Sequence, residues 1–114
     1  MSCELEKNGH HCPIRSTIEI LSGKWKFFIL YALFKGTLRF KELERQVEGI
    51  SPRMLVKELK ELEQYGIITR TVYAEVPPRV EYTLTERGRG LQSVLLAMKD
   101  WEENYLLTPT PPLG

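Results

Sequence analysis

Arg53, Lys57, Lys60 and Gln64 recur at intervals of four, three and four residues. At about 100° per residue this spacing gathers them on one side of a helix, with Leu55, Leu59 and Leu62 almost opposite. Arginine can bond guanine through two hydrogen bonds, lysine can reach guanine or a phosphate, and glutamine suits adenine. The stripe therefore has the chemistry for reading a DNA major groove, and Arg53 is the first choice for a base contact. Glu58, Glu61 and Glu63 are expected to flank the stripe. The solvated face of any amphipathic helix could carry the same residues, so context must decide. Arg79 follows Val76-Pro77-Pro78; a cation on a proline-stiffened loop suits phosphate or minor-groove contact, with an ordinary exposed arginine as the alternative.

Cys12 immediately precedes Pro13 at a helix start. There the positive end of the helix dipole favours thiolate, which makes Cys12 a candidate redox sensor. A half-buried structural thiol is the alternative, because apolar burial raises a thiol's pKa. Cys3, His10, His11 and Cys12 hold the atoms of a zinc site, but their spacing matches no finger pattern and no metal is expected. Lys24, Arg39 and Lys41 sit near element starts as candidate phosphate contacts, although surface solubility is the better explanation of each taken singly. The sequence has no HExxH, phosphate-binding glycine loop or nucleophile elbow, so neither an enzyme nor a cofactor is expected.

The elements that must position these groups follow from periodicity and punctuation. Ile14, Ile18 and Leu21 share one face of a first helix that opens at Cys12-Pro13 and ends at Gly23. A second helix, about Lys24 to Phe34, carries Trp25, Ile29, Ala32 and Leu33 on its apolar face, and Phe28 is expected to join the core. After an extended piece at Leu38, the spacing of Phe40, Leu43 and Val47 predicts a short third helix. Gly49-Ile50 turns the chain, and Ser51-Pro52 starts the stripe-bearing helix, which stops at Gly66.

Ile67 to Tyr73 and Arg79 to Leu84 read as a β-hairpin joined across Ala74 to Pro78. Thr85 can cap a final helix with Leu91, Val94, Leu95, Met98, Trp101 and Tyr105 at three- and four-residue intervals. Gly88-Arg89-Gly90 reads only as an irregularity at its start. The expected order is ααααββα. Leu91, Leu95, Met98 and Trp101 are numerous enough to serve a partner chain as well as the helix's own core, and are the candidate dimerisation residues.

At 114 residues the chain is one domain. The expected divisions are a flexible arm over 1–11, the folded domain over 12–107 and a disordered tail over 108–114. No apolar run approaches the ~20 residues of a membrane span and no signal peptide is evident, so a cytoplasmic protein is expected. The formal charge of +1 says little about nucleic acid; sorting of charge by face says more.

Two short helices joined at a glycine turn and followed by a hairpin are the parts of a helix-turn-helix with a wing. The fold class expected is α+β, mainly α: a winged helix-turn-helix with N- and C-terminal dimerisation helices. Cys12-Pro13, Gly23-Lys24-Trp25, Arg39-Phe40-Lys41-Glu42-Leu43, Gly49 to Leu55, Leu59 to Leu62, and Val76 to Tyr82 leading into Leu84-Thr85 carry a family likeness. Through them the chain resembles the HxlR-type group of MarR-like bacterial transcriptional regulators. The resemblance implies a winged-helix homodimer whose Ser51 to Tyr65 helix enters the major groove, with Ser51, Arg53, Val56, Lys57 and Lys60 facing DNA and Arg79 contacting it from the wing. It also brings thiol sensing at Cys12 into view, since some members sense oxidants at the matching position. The expected partners are duplex DNA, a second copy, and a redox or small-molecule effector, with no membrane. A winged helix that binds protein or RNA is the rival reading.

Overall fold

The computed structural model describes residues 14–107. The elements are α1 (Arg15–Ile20), α2 (Lys26–Leu33), β1 (Leu38–Arg39), α3 (Phe40–Gln46), α4 (Pro52–Gln64), β2 (Ile68–Tyr73), β3 (Arg79–Leu84), α5 (Glu86–Arg89) and α6 (Gln92–Tyr105). The three strands form one antiparallel sheet in the order β1-β3-β2. Leu38 faces Tyr82 across one ladder, while Ile68 opposite Leu84 and Tyr73 opposite Arg79 bound the other. The mainly helical architecture with a small sheet is that of a winged helix. Among the described residues no helix is long and apolar enough to cross a membrane.

One core unites α2, α3, α4 and the base of the sheet. Ile29, Leu30 and Leu33 meet Leu43 and Val47, then Leu55, Leu59 and Leu62, with Ile67, Ile68, Tyr82 and Leu84 closing the far side. The leucine spacing of α4 thus buries the face that periodicity assigns to the interior. The α3–α4 turn requires Gly49, whose φ of +89° is a conformation that side-chain-bearing residues rarely adopt. Ser51 then caps α4, its Oγ accepting from the Met54 N–H at 3.1 Å, with Pro52 in the first turn. At α3, the Glu42 carboxylate accepts the Arg39 backbone N–H at 2.8 Å.

Several expectations need correction. The order is ααβααββαα: the extended piece at Leu38 pairs as a strand, and the last helical region is two helices. Phe28 is 56% exposed and outside the core, because α2 gives its inward face to Ile29, Leu30 and Leu33. Ile14 and Ile18 are likewise exposed, and of the first helix's expected apolar face only Leu21 is buried. The expected arm, 1–11, and tail, 108–114, lie outside the described residues.

Gly88-Arg89-Gly90 is also more than an irregularity. Thr85 Oγ1 accepts from the Gly88 N–H at 3.0 Å, and Thr85 Oγ1 lies 2.6 Å from the Gly66 carbonyl oxygen, to which it donates. This draws α5 against the start of β2, where a Cβ on Gly88 would stand 2.2 Å from the Ile67 carbonyl oxygen and 3.0 Å from Leu84 Cδ2. Backbone cannot yield as a flexible side chain can. Gly88→Ala should therefore lower unfolding free energy by about 1–3 kcal/mol. Gly90→Ala, whose nearest contact is 3.3 Å, should cost less in the same denaturation assay; equal losses would mean that helix capping rather than the close approach governs this corner.

Candidate nucleic-acid interface

The outer face of α4 holds Arg53, Val56, Lys57, Lys60 and Gln64, all exposed, with Ser51 exposed at its start. The inner face is less uniform than the leucine pattern suggests. Glu58 lies three residues after Leu55 and four before Leu62, so it turns inward with them and is only 6% exposed. Its partner is Lys26 on α2, 5% exposed, whose Nζ is 2.6 Å from Glu58 Oε2 and 2.6 Å from Glu61 Oε2. Glu58 therefore does not flank the stripe as expected; it pairs with Lys26 in the interior, and Glu61 completes the triad at the boundary.

Burial is the largest single influence on the Lys26 ammonium and by itself disfavours charge. The hydrogen bonds to Glu58 and Glu61, with the attraction of both carboxylates, together overcome it and hold the Lys26 pKa above its ordinary 10.5. The hydrogen bond from Lys26 is the main reason that the Glu61 carboxyl lies below its ordinary 4.5; burial opposes it, and the charges of Lys26 and Lys57 assist. A depressed carboxyl adds stability above its unfolded pKa and loses it as pH falls through the folded one. A raised ammonium adds stability below its unfolded pKa and loses it as pH rises through the folded one. The Lys26–Glu61 pair consequently holds across neutral pH.

Two clefts lie on this part of the molecule, one of them bordering α4. The first, about 400 Å³, runs between α4 and the sheet and is lined by Val56, Lys60, Phe40 and Arg70 among others. The second, about 840 Å³, lies between α3 and the wing and brings Arg39, Lys41 and Arg45 together with Arg79. Three of the four cations there were named from the sequence, and the fold assembles them. Ser51, Arg53, Lys57, Gln64 and Lys24 line neither cleft; Lys24 instead sits 4.7 Å from the centre of the Trp25 ring.

Arg79 is not a loose cation on a loop. It opens β3, half-buried, with its guanidinium 4.0 Å from the centre of the Tyr73 ring. Its Nη2 lies 3.3 Å from Glu75 Oε1 and its Nε 3.6 Å from Glu81 Oε2, the latter beyond hydrogen-bond length. Beyond Ile68, β2 is exposed throughout, so these contacts brace a hairpin that projects out of the core.

Residues 20–109 match the family model described as HxlR-like helix-turn-helix. The chain belongs to the HxlR-like helix-turn-helix family. It is 51% identical over 94 residues to the HTH-type transcriptional regulator YdeP of Bacillus subtilis (strain 168), covering 82% of this chain and 73% of YdeP. Among solved structures it is similar to the redox regulator HypR in its reduced form, at 46% identity and a TM-score of 0.77, covering 81% of this chain and 91% of that one. A MarR-family structure from Porphyromonas gingivalis W83 has a TM-score of 0.81 at 36% identity, covering 93% of this chain and 98% of that one. The protein is an HTH-type transcriptional regulator.

Lys26, Arg45 and Arg70 escaped sequence reasoning, which places Glu58 beside the stripe rather than inside. Lys26 carried a signal, since it shares the 26, 29, 30, 33 face of α2 with three core residues; Glu58 carried the same signal on α4. Arg45 and Arg70 had none, because only the approach of α3 and the sheet gives them neighbours. Cys12, and with it Cys3, His10 and His11, lies outside the described residues.

The stability difference between wild type and Glu61→Gln, measured by urea denaturation, should be constant through the neutral range and shrink as pH falls below 4.5. A difference that persisted unchanged into acid would show that the Glu61 charge contributes nothing.

Proposed function

We propose that this regulator acts as a homodimer that reads an inverted repeat in duplex DNA. The observation that carries the reading is the sorting of α4: leucines and the paired Glu58 inward, Arg53, Lys57 and Lys60 outward. The fold presents that outer face beside a wing and a second cluster of cations. On this reading Arg53 contacts a base, while Ser51, Val56, Lys57, Lys60 and Gln64 complete the major-groove face. Arg79 serves from the wing, and Arg39 and Lys41 meet phosphate from the adjoining cleft. Lys24 is the outlying candidate for phosphate. Contact by Arg79 requires it to exchange its carboxylate partners for the DNA backbone.

Dimerisation is supported by an apolar groove of about 620 Å³ between α2 and α6, lined by Phe27, Phe28, Tyr31, Leu95, Met98 and Trp101 with Lys99 and Glu102 at its edge. Met98 and Trp101 are about half exposed, as are Phe28 and Tyr31 opposite. Leu91 and Leu95 pack against their own core, so the partner-facing share falls to Met98 and Trp101, joined by Phe28 and Tyr31. Exposed aromatic surface on this scale marks an interaction site.

Selection from a random duplex pool should enrich an inverted repeat with half-sites about 34 Å apart, one helical turn. Arg53→Ala should weaken binding by about 1–3 kcal/mol and relax one base position. Uniform weakening across sequences would make Arg53 a phosphate contact, and no enrichment at all would favour a winged helix that binds protein or RNA.

The likeness to HypR supports redox response, and Cys12, which precedes Pro13 in the sequence, is the candidate thiol. Mild oxidant should then change DNA affinity in wild type and leave Cys12→Ser unaffected. An unchanged wild type would remove Cys12 as a sensor.

A further inference from the structure

Within α4, three cations, Arg53, Lys57 and Lys60, stand against three carboxylates, Glu58, Glu61 and Glu63. Taken alone the helix is electrically neutral, a poor reader of a polyanion. Its neighbour changes that balance. Lys26 comes from a different helix and places one ammonium within 2.6 Å of an oxygen on two of those three carboxylates. Glu58 is thereby satisfied in the interior, where an unpaired carboxylate would be strongly disfavoured. Glu61 sits at the boundary, its side chain 36% exposed. It is four residues after Lys57, whose charge it feels, and a Lys57 recruited as its partner would be lost to phosphate. Lys26 holds Glu61 instead.

We propose that Lys26 is a positioning residue for duplex binding, the internal counter-ion that occupies Glu58 and Glu61 and so leaves Lys57 and its neighbouring cations free to face phosphate. This rests on α4 being the DNA-reading helix. Lys26 touches no DNA in this scheme: it acts through the charge and orientation of α4. The effect differs from that of a packing residue, because it depends on the carboxylates being present.

The test uses the full chain and the duplex enriched by wild type, with affinity read by fluorescence anisotropy and folded fraction by circular dichroism. Lys26→Met, corrected for folded fraction, should bind about tenfold more weakly. Its slope of log affinity against log salt should fall by about 0.9, the value of one phosphate contact. Removing the carboxylates in the same chain, as Lys26→Met/Glu58→Met/Glu61→Gln, should restore the slope and bring affinity to within about threefold of wild type. Should Lys26→Met not fold, Lys26→Gln, which retains N–H donors but no charge, carries the same expectation.

Wild-type affinity and slope in the folded Lys26 variant would overturn the proposal, as would a triple variant that stays as weak as the single one. Failure of wild type to bind any duplex would instead overturn the reading of α4, and this proposal with it. Wild-type binding that is indifferent to Lys26 would leave that reading intact and sink the counter-ion role alone.

Discussion

The pairing of one lysine on α2 with two carboxylates on α4 is the constraint around which the rest of this surface is arranged. On the proposed reading α4 has two obligations: it must bury one face firmly and leave the other unencumbered. Leu55, Leu59 and Leu62 meet the first through non-directional burial, which holds the helix against the core without strongly specifying its rotation. The Lys26 ammonium adds direction, because a buried carboxylate tolerates little displacement from its partner. Such a pair need not raise net stability. Its effect is to make other rotations of α4 costly, since each would strand Glu58 without a counter-charge.

The wing solves a different problem. A two-stranded ribbon that leaves the core has little apolar surface to bury and is marginal by itself. Here β1 pairs with β3 and supports its base, at Leu38–Tyr82 and Arg39–Glu81. The tip is braced by Arg79 against the Tyr73 ring and two glutamates. Partly exposed ion pairs contribute little individually, but three contacts converging on one guanidinium, with prolines in the connection, restrict the shapes open to the hairpin. The same contacts occupy Arg79, so on the proposed reading its engagement with DNA is an exchange of partners.

On the opposite side, α2 and α6 leave aromatic and thioether groups uncovered. α2 therefore faces three environments: Ile29, Leu30 and Leu33 enter the core, Phe28 and Tyr31 line an open groove, and Lys26 reaches α4. Its side chains divide along these lines because a single helix lying between the core and a groove presents all of its circumference to something.

Much of this was legible in the sequence. Periodicity located α2, α3 and α4. Ser51-Pro52 marked a helix start, the β-branched runs marked the hairpin, and the leucine spacing of α4 separated inside from outside. These are local properties, determined by residues within a few positions of one another, and local sequence determines them because backbone hydrogen bonding and side-chain spacing have fixed periods. What the sequence by itself could not determine was which long-range partners each face would meet. Phe28, expected in the core as an aromatic beside the Trp25, Ile29 and Ala32 face, instead lines the open groove between α2 and α6. Gly88 looks incidental until the Ile67 backbone is brought against it, and Arg45 and Arg70 acquire meaning only when α3 and the sheet approach the wing and α4. From the sequence Glu58 reads as flanking the stripe and Lys26 has no assigned role, although each sits at helical spacing from core residues; their pairing spans 32 positions. Only the packing of α2 on α4 closes that distance, because an ion pair is decided by separation in space and by exclusion of water, and neither is a property of spacing along the chain.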